Sequence, residues 1–303
     1  MSSVYRYDPA EKYDEGFDYN ELDTLTEEEV NAELARAWTS RGPLYQVFSN
    51  ALMLDYGGPS FAKRHSWASG TFGTPRGQEP DRANGILYST HTLTSYVMLG
   101  WETGIRNQFH VLRLRGMSKE QSMEVVFFTM HYAGMRGLGH TYRAVGDFLP
   151  QIAPPPRELP LAEGWVADPE AFKCGLDLTT RRMTPADVEN LTNWYEETIG
   201  YLPESIRFGI KLHPEFVKAN RAKWEVAIRT LPKQFAPWIM IRQNMMSGNV
   251  DGLREAVLLG KAWGISRHHI ANGIANSCCF FTGFEGFHIA QKAMEDIWDA
   301  WDE

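Results

Sequence analysis

One helical pattern occurs twice in this chain, and that limits the folds open to it. The segment HVLRLRGMSKEQSMEVVFFTMHYAGMRGLGH, from His110, aligns with LLGKAWGISRHHIANGIANSCCFFTGFEGFH, from Leu258. Gly116-Met117-Ser118 matches Gly264-Ile265-Ser266 at a separation of 148 residues. One inserted residue later, Gly134 and Gly137 match Gly283 and Gly286. Upstream, Pro59-Ser60-Phe61-Ala62-Lys63 resembles Pro214-Glu215-Phe216-Val217-Lys218. The unit is helix, glycine turn, Ser-capped helix, glycine-containing bend, helix. A glycine just past a helix supplies the left-handed residue that helix ends favour, and the serine after it caps the next helix. The plainer reading is a pair of unrelated helical hairpins. Glycines, caps and aromatics matched in one order favour duplication.

The remaining pattern is helical as well. Thr26 with Glu29, and Ser118 with Gln121, are capping boxes, and Thr184-Pro185 is an N-cap followed by Pro at N1. Spacing predicts helices over about 26–39, 43–54, 86–99, 102–115, 118–131, 185–199, 203–211, 214–230, 234–247, 250–263, 266–281 and 284–300. Between them, 55–84 reads as a short helix and a long loop, and 150–183, opening on Pro154-Pro155-Pro156, as an irregular linker. No alternating β run stands out. The expectation is an all-α chain of two tandem repeats. Its parts are an N-terminal arm and helix (1–43), a first repeat (44–149), a linker and connecting helix (150–194) and a second, degenerate repeat (195–303).

Composition narrows the function classes. The net charge of −8 over 303 residues gives no basic surface for nucleic acid or anionic lipid. No apolar run reaches the roughly 18 residues of a membrane span. Three cysteines, Cys174, Cys278 and Cys279, form no disulfide framework. The acidic first 23 residues lack the apolar core of a signal peptide, so a cytoplasmic location is the expectation.

The order helix, G-[MI]-S, helix, [YF]-x-G-x-x-G resembles the carboxymuconolactone decarboxylase and alkylhydroperoxidase D-like superfamily, over about 44–149 and more divergently 195–303. The resemblance implies an all-helical core and a homo-oligomer, a dimer or trimer for a tandem chain. Its peroxidase branch uses a Cys-x-x-Cys four residues before a His. Here Thr103 and Arg106 stand at the cysteine positions, with His110 retained. Without an attacking and a resolving thiol, dithiol peroxidase chemistry is excluded. The second half has Asp251, Arg254 and Leu258 at those places, so the first half is expected to carry the site.

His110 is the leading catalytic candidate, since a neutral imidazole can take and return a proton near physiological pH. His91 lies near the position where the resemblance implies an orienting glutamate. Glu102, two to three turns before His110 on a similar face, can supply that carboxylate instead. Arg106 or Arg136 can hold an anionic group, and Glu124, His131, Tyr132 and His140 complete the candidate substrate-binding set. Each has a plainer reading as a core or helix-surface residue. Cys278-Cys279 reads as a pair of buried small hydrophobes and His268-His269 as an exposed pair.

Three functions compete. The first is a cofactor-free decarboxylase, lyase or lactone-opening enzyme of aromatic catabolism, acting by His acid–base chemistry on a small carboxylated or carbonyl compound. The second is a metal-dependent hydrolase or lyase using the His and Glu side chains of the first repeat. The third is a non-catalytic oligomeric binding scaffold. A concave cavity around His110 discriminates enzyme from scaffold.

Overall fold

The computed structural model describes residues 82–302 continuously, together with 26, 28–29, 56–58, 60–61, 64–65 and 68. Among the described residues the chain is all-α, and its only β feature is an isolated bridge between Ala167 and Pro232. The Thr26 capping box is formed, with Glu29 N–H donating to Thr26 Oγ1 (3.3 Å) and Thr26 N–H to Glu29 Oε2 (2.8 Å). The rest of the helix expected there, and the one over 43–54, lie outside the described residues.

Helix α1 (Arg82–Leu99) is central although it is rich in Ser and Thr. Thr90, Thr92, Thr94 and Ser95 each donate to the carbonyl four residues back, so hydroxyls that would be costly in a core are satisfied within the helix. A left-handed Gly100 (φ 72°) leads into α2 (Glu102–Leu114). Gly116 (φ 100°) and the Ser118–Gln121 capping box then open α3 (Lys119–Val145). The expected stop near His131, at a glycine-containing bend followed by a further helix, is met within a few residues. Gly134 takes a non-helical turn (φ 58°, ψ −160°) and the helix resumes beyond it.

The linker is irregular as expected, with short 3-10 turns at Leu149–Gln151 and Pro169–Phe172. Next come α4 (Pro185–Ile199), α5 (Glu204–Leu212) and α6 (Pro214–Trp224). The expected run of α6 to residue 230 is cut short by a tertiary contact. The backbone N–H groups of Arg229, Thr230 and Leu231 turn to the carboxylate of Glu124, which is 2% exposed. The chain ends in α7 (Phe235–Ser247), α8 (Val250–Ala262), α9 (Arg267–Ser277), a π-helical turn (Cys278–Thr282) and α10 (Glu285–Asp299). Helix α1 packs on α2, α3 and α7, and α7 packs in turn on α8 and α9.

Local geometry recurs between the two halves. Gly248 (φ 66°) and Gly264 (φ 79°) repeat the left-handed turns of Gly100 and Gly116. Gly283 (φ 59°, ψ −157°) repeats the bend at Gly134. Arg106 Nε donates to the Ala144 carbonyl (2.8 Å), and Arg254 Nη1 to the Ala293 carbonyl (3.0 Å). Two smaller expectations hold only in half. Cys278 is buried but Cys279 exposed, and His268 is exposed whereas His269 is buried on the Ser266 cap. No helix among the described residues is long and apolar enough to cross a membrane.

The two glycine turns differ in one testable way. A Cβ on Gly116 would meet the Glu158 carbonyl oxygen at 2.4 Å, while one on Gly264 meets nothing within 4 Å. Gly264→Ala should cost about 1–2 kcal/mol, the left-handed penalty alone. Gly116→Ala should cost distinctly more, and chemical denaturation of the two variants measures the difference.

Candidate functional site

The halves meet where α7 crosses α1, and Trp238 fixes the crossing. Its indole Nε1–H donates to the Leu87 carbonyl (2.8 Å), and its own carbonyl accepts from His91 Nε2 (2.6 Å). The two rings stack at 4.0 Å with 13° between planes. A carbonyl can only accept, so Nε2 carries the imidazole proton and Nδ1 keeps its lone pair. Nδ1 is buried with no hydrogen-bond partner among the described residues. Burial first, and the Arg242 charge second, push His91 well below the usual histidine range, so the ring is neutral at pH 7.

Arg242 lies one turn after Trp238 on the same face of α7. It is completely buried, although it belongs to a residue type that is almost never buried unpaired. Nη2 donates to Asn276 Oδ1 from α9, and Cζ sits 4.9 Å from the Phe281 ring centroid. Among the described residues, Nε and Nη1 have no hydrogen-bond partner and no ion pair reaches the group. Burial pulls its pKa down to about 9, which still leaves it cationic at neutral pH. Trp238 and Asn276, with Asn84, Tyr88 and Asn272, line a small recess of about 10 Å³, room for about one water molecule.

The expected site residues are dispersed. His110 is half-buried on α2, stacked on Phe148 at 6.1 Å, and does not line the recess. Burial, then Arg113 and Arg106, lower it to about 4. Glu102 does not reach it. That carboxylate takes Arg143 Nε (2.6 Å) and lies 3.0 Å from His140 Nδ1, a cluster at the surface. Arg143 first, with His140 assisting against burial, holds Glu102 below its ordinary value. Arg106 is tied to the Ala144 carbonyl and faces Phe148, and Arg136 is exposed. His131 Nδ1 meets the Phe128 carbonyl (2.9 Å), and burial lowers the ring to about 4. The Tyr132 hydroxyl donates to Asn244 Oδ1 (2.8 Å), and burial, then Glu255, raise it to about 12. Glu124 is the clamp for the 229–231 loop.

None of the expected residues lines the recess, and only His91 is joined to it, through the Trp238 ring on which it stacks. Arg242, Trp238, Tyr88, Asn84 and Asn276 were not singled out from the sequence. The available signal was an arginine inside the apolar run APWIMIRQNMM. Among the described residues no three His, Cys, Asp or Glu side chains converge as metal ligands. No protein family, curated protein or solved structure matches this chain.

The buried histidines set the acid behaviour. Unfolded histidines take protons near pH 6.5, whereas folded His110 and His131 take them only near 4. Stability is therefore present above 6.5 and lost as pH falls from 6.5 to 4. Glu255, raised to about 7 by burial, acts oppositely, destabilising the fold as pH rises from 4.5 to 7. With four lowered histidines, His65 and His91 included, against one glutamate, the melting temperature should fall between pH 6.5 and 4.5. Calorimetry of His131→Gln should show a shallower decline.

Proposed function

We propose that the chain is a cofactor-free enzyme, a lyase or lactone-opening catalyst in the sense of the family it resembles. It acts by His acid–base chemistry on a small carboxylated or carbonyl compound. The observation that carries this reading is the one-sided bonding of His91. Nε2 is spent on Trp238, and Nδ1 is left as a neutral base next to a buried cation. His91 thus takes the role first expected of His110. A substrate carboxylate on Arg242 would cancel much of the charge that lowers His91 and make Nδ1 a better base. Nδ1 then accepts the proton that the substrate loses beside its carbonyl and returns it after the bond breaks. Asn276 Nδ2, a buried donor with no partner, suits the oxygen on which enolate charge collects. An arginine-held carboxylate is stabilised in the ground state too, so it serves better as a handle than as the departing group.

The recurring turns at Gly100 and Gly248, Gly116 and Gly264, and Gly134 and Gly283 support the tandem-repeat reading. The dimer or trimer implied with it finds support in apolar side chains exposed beside the two bends, Met135 (71%) and Phe284 (90%). Light scattering of the purified chain tests that assembly.

Turnover of a panel of lactones and β-keto acids tests the function. His91→Gln should lower kcat/KM by about 10²–10⁴-fold with the helical circular dichroism unchanged. Absence of turnover across the panel would overturn the reading. So would loss of turnover in His110→Gln but not in His91→Gln.

A further inference from the structure

Of the helices α1 to α10, only α5 has no buried residue, although its sequence, ESIRFGIKL, is largely apolar. Wound as a helix, Glu204, Arg207 and Lys211 fall in one charged stripe, and the apolar residues form two sectors beside it. The first sector, Ile206, Gly209 and Ile210, leans inward, mainly on α6. Gly209 permits that approach, because a Cβ there would lie 2.9 Å from Val217 Cγ2. The second sector, Phe208 and Leu212 one turn apart, stays uncovered. These side chains are 60% and 71% exposed, and Phe216, at the start of α6, is 64% exposed.

A helix apolar round so much of its circumference is ordinarily buried. Three large side chains at that exposure leave about 350 Å² of apolar surface in water. That matches the largest patch on a typical monomer, which is often functional. Its rim constrains what covers it. Glu204 and Glu215 are exposed beside it and the chain carries −8, which disfavours an anionic lipid surface. The rim is instead self-complementary. Its stripe begins with an acid, Glu204, and ends with a base, Lys211. A second α5 laid antiparallel about a two-fold axis near Phe208 sets each Glu204 beside the partner's Lys211. A parallel pairing would set like charges together. The antiparallel one brings the same patch against itself, as an isologous interface requires. Two such patches give an apolar centre of about 700 Å², which the charged rim extends towards the roughly 1,200 Å² at the low end of specific interfaces. An interface of that size makes a reversible dimer.

We infer that the outer face of α5 is a homodimer interface, in which Phe208, Leu212 and Phe216 of two copies pack across a two-fold axis near Phe208. It involves neither of the bends at Gly134 and Gly283, and it rests on no reading of the activity.

Sedimentation velocity of the full chain at high micromolar concentration tests the interface. The wild type should sediment as an even number of copies. Phe208→Glu with Leu212→Glu should halve that mass with the helical circular dichroism unchanged, because both side chains already stand in water. A second test locates the axis. In a Cys279→Ser background, which removes the exposed native thiol, Phe208→Cys should close an intermolecular disulfide under mild oxidation. Adding Leu212→Glu should slow that cross-link at least 10-fold. A wild type that stays monomeric overturns the interface, whatever other partner then covers α5. So does an unchanged mass in the double variant, or a Phe208→Cys dimer that forms no cross-link.

Discussion

The crossing of α1 and α7 depends on Trp238. Its indole N–H and its backbone carbonyl are both bonded to α1, and its face is covered by His91. One residue therefore fixes both the spacing and the rotation of the two central helices, which a purely apolar contact would leave free to slide. The same bonds select the His91 tautomer and hold the indole as a rigid wall of the recess. Stability at the junction and the chemistry proposed there have one origin.

Three other clusters of buried charge show what this protein does when a charge is structural. Lys218 and Asp187, 3% and 1% exposed, pair at 2.8 Å, and Asp187 also closes the Thr184 cap. Arg221 lies 3.9 Å from the Trp194 ring, bonded to Glu225 and the Phe172 carbonyl. Glu124 collects three backbone N–H groups. Each is answered from within the chain, as buried ions must be. Arg242 is answered only by a neutral amide. Its difference from these three is that no acid pairs with it among the described residues.

Much of the fold was legible locally. Ser118, Thr184-Pro185 and Ser266 start their helices where the sequence places them, because a cap is decided within four residues. The end of α6 was not legible. It depends on a carboxylate more than a hundred residues away. The site divides in the same way. His91 was reachable through the family resemblance, and Arg242 was visible only as an arginine in an apolar run. Its meaning comes from the lack of any acid facing it, a property of three helices distant in sequence. Likewise Glu102 sits near His110 along α2, but α3 brings His140 and Arg143 to it first.

The central claim is that Arg242 is kept for a ligand and not for the fold. It is tested most directly by the stability of the unliganded double variant Arg242→Met, Asn276→Leu, which replaces both polar partners by apolar groups of similar size. Replacing an unsatisfied buried charge and its partner in this way is neutral or stabilising. The account predicts a denaturation midpoint at or above that of the wild type in buffer free of carboxylates. A midpoint below the wild type would make Arg242 a structural element of the core and contradict the claim.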